Sequence, residues 1–185
     1  MDIELSFVEK ERFSDFFKEY AQVIFKSDFD FNIAALLSAE EKEKIRNNHI
    51  PFSEIEKYYL IAEKDDQIIG WSVGHQLDRS NFFMSNSAVI PEYRNQGIYT
   101  SMLDKVVKRL AQRGYQTITS KHKMSNNAIL IPKLKYGFVI SGFEVSDEYG
   151  CLVELCYFTN PERKELHEIR IGSRKMNDKH LNLIK

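Results

Sequence analysis

The chain has 185 residues, 43% of them apolar and 29% charged, with a net charge of −1. That length suits one domain with a sizeable core, and no apolar run approaches the roughly 18–20 residues of a membrane-spanning helix. The first ten residues lack the basic-then-apolar layout of a secretory signal. Cys151 and Cys156 fall five apart on one expected strand, hence on opposite faces, where they make neither a disulfide nor a metal pair. A cytoplasmic protein with reduced thiols and no metal is the expectation.

Residues 3–8 read as the opening strand. A helix follows, with Ser14 as its N-cap and an apolar stripe at 16, 17, 20, 23 and 24. Ser38-Ala-Glu-Glu41 is a capping-box pattern that opens a second, highly charged helix reaching about Asn47. Residues 58–63 and 67–76 read as strands joined by the turn Lys64-Asp65-Asp66. In the second of them Ile69, Trp71 and Val73 alternate with Gly70, Ser72 and Gly74, leaving one face nearly bare for a helix or ligand to approach.

Residues 82–89 form the next expected strand, ended by Pro91. From Gly97 the apolar positions 98, 102, 103, 106, 107, 110 and 111 trace a helix that stops at Arg113-Gly114. Then come a strand over 115–122, a helix over 126–136 ended by Gly137 and interrupted by Pro132, and strands over 138–145 and 150–158. The polar tail, 159–185, is either a docked helix or a loose end beyond a domain of residues 1–158. The element order implies an α+β fold of α/β type, a mixed sheet with helices on its faces.

Charge is unevenly spread. Residues 1–92 hold 18 acids and 10 bases, whereas residues 93–135 hold nine bases against Asp104 alone. A local field of that sign attracts an anion. The block opens at a strand–loop–helix turn, residues 89–100, where free N–H groups and the positive end of the helix dipole suit a pyrophosphate. Gly97 permits close approach, Arg94 adds charge-assisted bonds, and Thr100 and Ser101 add hydroxyls.

The stretch Ala88-Val-Ile-Pro-Glu-Tyr-Arg-Asn-Gln-Gly-Ile-Tyr resembles the acetyl-CoA motif Arg/Gln-x-x-Gly-x-Gly/Ala of the GCN5-related N-acetyltransferases. Arg94 and Gly97 match it, and Tyr99 departs from the final small residue. Asn126, with Gly137-Phe138 further on, resembles that family's second motif, and the likeness spans roughly residues 2–158. The resemblance implies an acyl-CoA N-acyltransferase fold with a mostly antiparallel sheet. It also implies a bulge in the strand ending at Val89, free backbone groups at Val89 and Ile90 for the pantetheine arm, and Asn95, Gln96, Gly97, Ile98, Tyr99 and Thr100 around the pyrophosphate. Asn126 would touch the same ligand, and the strands 82–89 and 115–122 would splay into a cleft for the thioester.

The implied reaction is acetyl transfer from acetyl-CoA to a primary amine of a small molecule or peptide, by direct attack in a ternary complex of a monomer or homodimer. The family often places a tyrosine general acid about four residues before Gly-Phe; this chain has Lys133 there, with Tyr136 three residues later. His122, at the cleft mouth with Ser120 on the same strand face, is the candidate acid or base. Phe25, Asp28, Phe29, Asp30, Phe31, Phe52, Glu54 and Glu56 suit a cationic acceptor and equally suit a helix face with a solvated rim. A cradle without the tyrosine also fits an acyl-CoA-binding module. The bases lack the aromatic platform of a nucleic-acid binder.

Overall fold

The computed structural model describes residues 3–24, 35–47 and 55–181. Along them run strand β1 (Glu4–Phe7), helices α1 (Lys10–Ile24) and α2 (Ala39–Asn47), and strands β2 (Lys57–Lys64), β3 (Gln67–Gln76) and β4 (Asn81–Val89). Helix α3 (Ile98–Gln112), β5 (Thr117–Lys123), α4 (Asn127–Tyr136), β6 (Val139–Ser146) and β7 (Gly150–Phe158) come next, then α5 (Pro161–Arg170) and the short α6 (Asp178–Leu181). The seven strands make one sheet in the order β1-β2-β3-β4-β5-β7-β6. All neighbours pair antiparallel except β4 with β5. This is the mixed, mostly antiparallel sheet expected.

The alternation in β3 decides which helix lies on which face. Trp71 is fully buried, and Phe16 and Phe17 of α1 meet its ring edge-on at 5.4 and 6.0 Å. The glycine face turns the other way, toward α3: a Cβ on Gly70 would touch the Met102 side chain at 3.4 Å. At Gly74 a Cβ would fall 2.4 Å from the Phe83 carbonyl oxygen, so only glycine fits. α3 fills the bare face with Met102, Leu103, Val106 and Leu110, each no more than 1% exposed. At about 25 cal/mol per Å² of apolar area, such side chains contribute roughly 2 kcal/mol each.

Two boundaries differ from expectation for physical reasons. α1 begins at Lys10, not at Ser14, because Phe13 is core, stacked on Phe17 and tilted against Tyr59, both at 5.1 Å. Its burial extends the apolar stripe one turn upstream of the proposed cap. α4 runs unbroken through Pro132, which removes one helical donor without ending the helix. The capping box of α2 forms as read: Ser38 N donates to Glu41 Oε2 at 2.8 Å, and Glu41 N to Ser38 Oγ at 3.2 Å. Beyond β7, Asn160 Oδ1 accepts from the N–H groups of Glu162 and Arg163 at 2.8 and 3.4 Å and starts α5. His167 of α5 packs its ring 5.0 Å from Phe158.

Candidate functional site

β4 and β5 pair over only three positions, Asn81 with Thr117, Phe82 with Ile118 and Phe83 with Thr119. Past them the strands part, β4 staying with β3 and β5 with β7, so a wedge opens between. A bulge sits at Ser85: Val73 faces Asn86 and Gly74 faces Met84, leaving Ser85 as the extra residue. Ile90 N donates to Ile69 O at 2.9 Å, which makes that pair hydrogen-bonded and the next one, Gly70 with Val89, non-hydrogen-bonded. Val89 therefore turns its N–H and C=O into the wedge. Ile90 does not, and the expectation of a free Ile90 N–H is corrected by its bond to β3.

The turn after β4 is built from a 3-10 segment, Pro91–Tyr93, then Asn95 at φ 61° and Gly97 at φ 79°, both left-handed. Helix α3 starts at Ile98 without a side-chain cap, and its first helical bond is Ser101 N to Gly97 O at 3.0 Å. The N–H groups of Ile98, Tyr99 and Thr100 thus point out of the helix end with no intrahelical partner. A Cβ on Gly97 would meet nothing within 4 Å, so the space above it is open. Arg94 Nε donates to Val89 O at 3.0 Å, tying the guanidinium to the wedge. Gln96 Nε2 donates to Glu92 O at 3.3 Å. Tyr99 turns its ring into the core beneath α3, away from this opening, and its hydroxyl is pushed up in pKa by burial. Asn126 begins α4 exposed, its side chain making no capping bond.

The wedge apex holds Lys133, the residue that stands where the family pattern has a tyrosine. Lys133 is 1% exposed, and its Nζ donates to Ser120 Oγ at 2.6 Å and lies 3.5 Å from Met84 Sδ. Burial alone pulls its pKa down to about 7. The same Ser120 Oγ lies 2.9 Å from His122 Nε2. Burial, and next the charge of Lys133, push His122 down to about 3, so the imidazole is neutral across the physiological range. Tyr136 OH donates to Asp104 Oδ1 at 3.1 Å, and burial and that carboxylate raise its pKa. A usable signal for Lys133 was its register, one turn after buried Leu130 and five residues before buried Phe138. The exposed Ile131 and Leu134 beside it disguise the register.

The basic block is less available than its count suggests. Lys108 pairs with Asp104 at 2.7 Å, Arg113 with Glu56 at 2.6 Å, and Lys121 with Glu144. Arg109 lies 4.1 Å over the Phe7 ring, and Lys105 donates to Leu5 O. A groove along this flank of α3, from Thr100 to β1, is lined by these engaged cations and lies apart from the wedge. Glu56, offered as an acceptor ligand, instead binds Arg113 and Tyr115 OH, the latter at 2.8 Å. The other proposed acceptor residues, Phe25 to Phe31 and Phe52 to Glu54, lie outside the described residues.

Comparison with known proteins bears on this arrangement. The model of the acetyltransferase (GNAT) family matches residues 16–138, from α1 through the wedge, the turn before α3 and α4. The chain belongs to that family. This acetyltransferase also shares its fold with solved structures. The ribosomal-protein-S18-alanine N-acetyltransferase of Escherichia coli is 16% identical with a TM-score of 0.61, covering 86% of this chain and 95% of that one. A GNAT family acetyltransferase from Elizabethkingia anophelis, solved with acetyl-CoA bound, is 18% identical with a TM-score of 0.55, over 84% and 97% of the two chains. Ard1 from Thermoplasma volcanium is 11% identical with a TM-score of 0.62, over 85% and 98%. A search of curated protein sequences gives no match. Membership makes the chain an acetyl-CoA-dependent acyltransferase. No helix among the described residues is long and apolar enough to cross a membrane.

Proposed function

We propose that this acetyltransferase moves the acetyl group of acetyl-CoA to a primary amine of a small molecule or peptide by direct attack in a ternary complex. The observation that carries the reading is continuity: the wedge-facing backbone of Val89 runs straight into the uncapped N-terminus of α3. An extended amide-bearing arm can add to Val89 as a strand does. Its diphosphate then meets the N–H groups of Ile98, Tyr99 and Thr100. Arg94, Asn95, Gln96 and Gly97 form the rim and Asn126 supplies an amide from α4, while Ile90, whose N–H bonds Ile69 O and whose carbonyl accepts from Tyr93 N, holds the turn in place. A second substrate held beside the thioester gains most of its acceleration from placement. His122 is the proton-carrying group at the wedge. In this reading the enzyme is cytoplasmic, a monomer or homodimer, and residues 159–185 are an addition to the transferase domain.

Gly97→Asn tests the cradle. Asparagine tolerates the left-handed backbone, so the side chain enters the open space without unfolding the turn. Calorimetric titration with acetyl-CoA should show at least a tenfold loss of affinity. The same change at Gly114, also left-handed and open at φ 90° but at the far end of α3, should leave affinity alone. Equal affinity in wild type and Gly97→Asn would remove the cradle.

A further inference from the structure

A buried cation without an anion calls for an explanation, because a lone ammonium costs several kcal/mol to desolvate. Lys133 Nζ touches Ser120 Oγ, Met84 Sδ and, at 4.7 Å, the Phe138 ring. No carboxylate lies within ion-pair distance of it among the described residues. From β5 the titratable neighbour is His122, neutral in the range where Lys133 titrates. From α3 the one carboxylate, Asp104, is already held by Lys108 and Tyr136. From β4 comes only the thioether of Met84, and from the start of β6 only an aromatic ring.

Position gives the cation a use. Met84 and Ser120 are the first residues past the last β4–β5 pair, Phe83 with Thr119, so Nζ sits in the apex where the strands part. From Val89 back to Met84 the strand spans about 17 Å at roughly 3.3 Å per residue. An extended arm of roughly a dozen bonds covers about 14 Å of that distance. An acyl-CoA laid along β4 with its diphosphate at α3 therefore carries its sulfur toward the apex.

We propose that Lys133 is the proton donor to the departing coenzyme A thiolate, recharged through Ser120 from His122. The inference rests on the acetyl-CoA reading above. The neutral amine adds to the thioester carbonyl; the carbon–sulfur bond then breaks with its electron pair passing to sulfur. A proton moves from Nζ to sulfur, leaving coenzyme A as the thiol and Lys133 as a neutral amine. The amide product loses its extra nitrogen-bound proton to water. Ser120 Oγ, within hydrogen-bond distance of both groups, hands its proton to Nζ and takes one from His122 Nε2. The partly exposed imidazole takes its proton from solvent. Lys133 is the catalytic residue of this step, and Ser120 and His122 are its relay.

The test needs no knowledge of the acceptor, because free coenzyme A carries the same sulfur. Saturating coenzyme A is bound to the full chain, and the thiolate absorbance of the bound ligand is followed against pH. An ammonium a few ångströms away lowers a thiol pKa by about one unit or more. The expected result is a bound thiolate fraction at pH 6 to 7, where Lys133 is charged, at least tenfold higher in wild type than in Lys133→Met, with coenzyme A affinity within threefold. Lys133→Arg, which keeps the charge, should retain the acidic thiol and stands in if the methionine variant fails to fold. Identical thiol titrations in all three proteins would overturn the proposal while leaving the cofactor reading intact. Failure of wild type to bind coenzyme A would overturn the cofactor reading and this proposal with it. A second readout separates the relay from packing: with any turned-over amine, Ser120→Ala should lower kcat more than tenfold with KM for acetyl-CoA unchanged. Unaltered kcat would remove the relay.

Discussion

Lys133 is also the residue whose energetics can be read most directly from pH. Its pKa falls from near 10.5 when unfolded to about 7 in the fold. Between those values the unfolded chain binds a proton that the native chain does not, so native stability rises as pH increases through the window. Below about pH 7 both states are charged and the folded state carries the whole cost, on the order of 5 kcal/mol at about 1.4 kcal/mol per pH unit. Lys133→Met should therefore raise Tm at pH 6, with a gain that shrinks steadily toward pH 10. A stabilisation that does not vary with pH would mean that Lys133 is not desolvated. His122 acts on the acid side: its depressed pKa means native stability is lost as pH falls from about 6.5 toward 3. The tyrosine that departs from the family pattern, Tyr99, resolves more simply. In a helix's first turn a ring can go under the helix instead of over the ligand, and here it joins the core.

At the level of elements, legibility followed how much of each signal was local. β3 could be read residue by residue because the Gly-Ser-Gly face and the Lys-Asp-Asp turn are both written into adjacent positions. The α2 cap was equally local, and both of its reciprocal bonds form. The start of α1 was misplaced because a favourable cap residue, Ser14, competes with burial of Phe13, and burial is a tertiary fact. The bonded N–H of Ile90 depends on strand register, which no single strand reveals, whereas the bulge that the resemblance implies in this strand falls at Ser85. The form of the turn before α3, with its left-handed Gly97 and uncapped helix start, was legible from its glycine and its position after the strand. The apex lysine was not, because its meaning arises only when two strands and a helix converge. The tail was undecided by composition, and the structure gives it a capped helix against β7. Asn160→Ala should cost about 1 kcal/mol by loss of that cap. Thermal denaturation should show the loss while acetyl-CoA affinity stays constant; a fall in affinity would tie residues 159–185 to the site.

Taken as a whole, the sheet is two blocks, β1 to β4 and β5 with β7 and β6, joined by a seam of three residue pairs. Side chains and loops stitch the closed end: Gln116 N to Ser80 O at 2.7 Å, Thr117 Oγ1 to Asn81 Oδ1, and Thr119 Oγ1 to Phe82 O at 3.4 Å. Beyond the seam the strands diverge, and Lys133 of α4 touches Met84 on one and Ser120 on the other. In the proposed reading the donor lies between the blocks, and a molecule that fits there adds a further bridge to the seam and the Lys133 contacts that already join them. Hydrogen exchange should register this without any chemistry. Addition of coenzyme A should slow the amides of Phe82, Phe83, Thr117 and Thr119 together, although none lies at the phosphate turn. Protection confined to residues 95–101 would show that the blocks move independently of the ligand. The thermal midpoint carries the same information: a ligand that bridges the blocks makes their melting a single event, so loading the donor changes how the molecule comes apart as well as when.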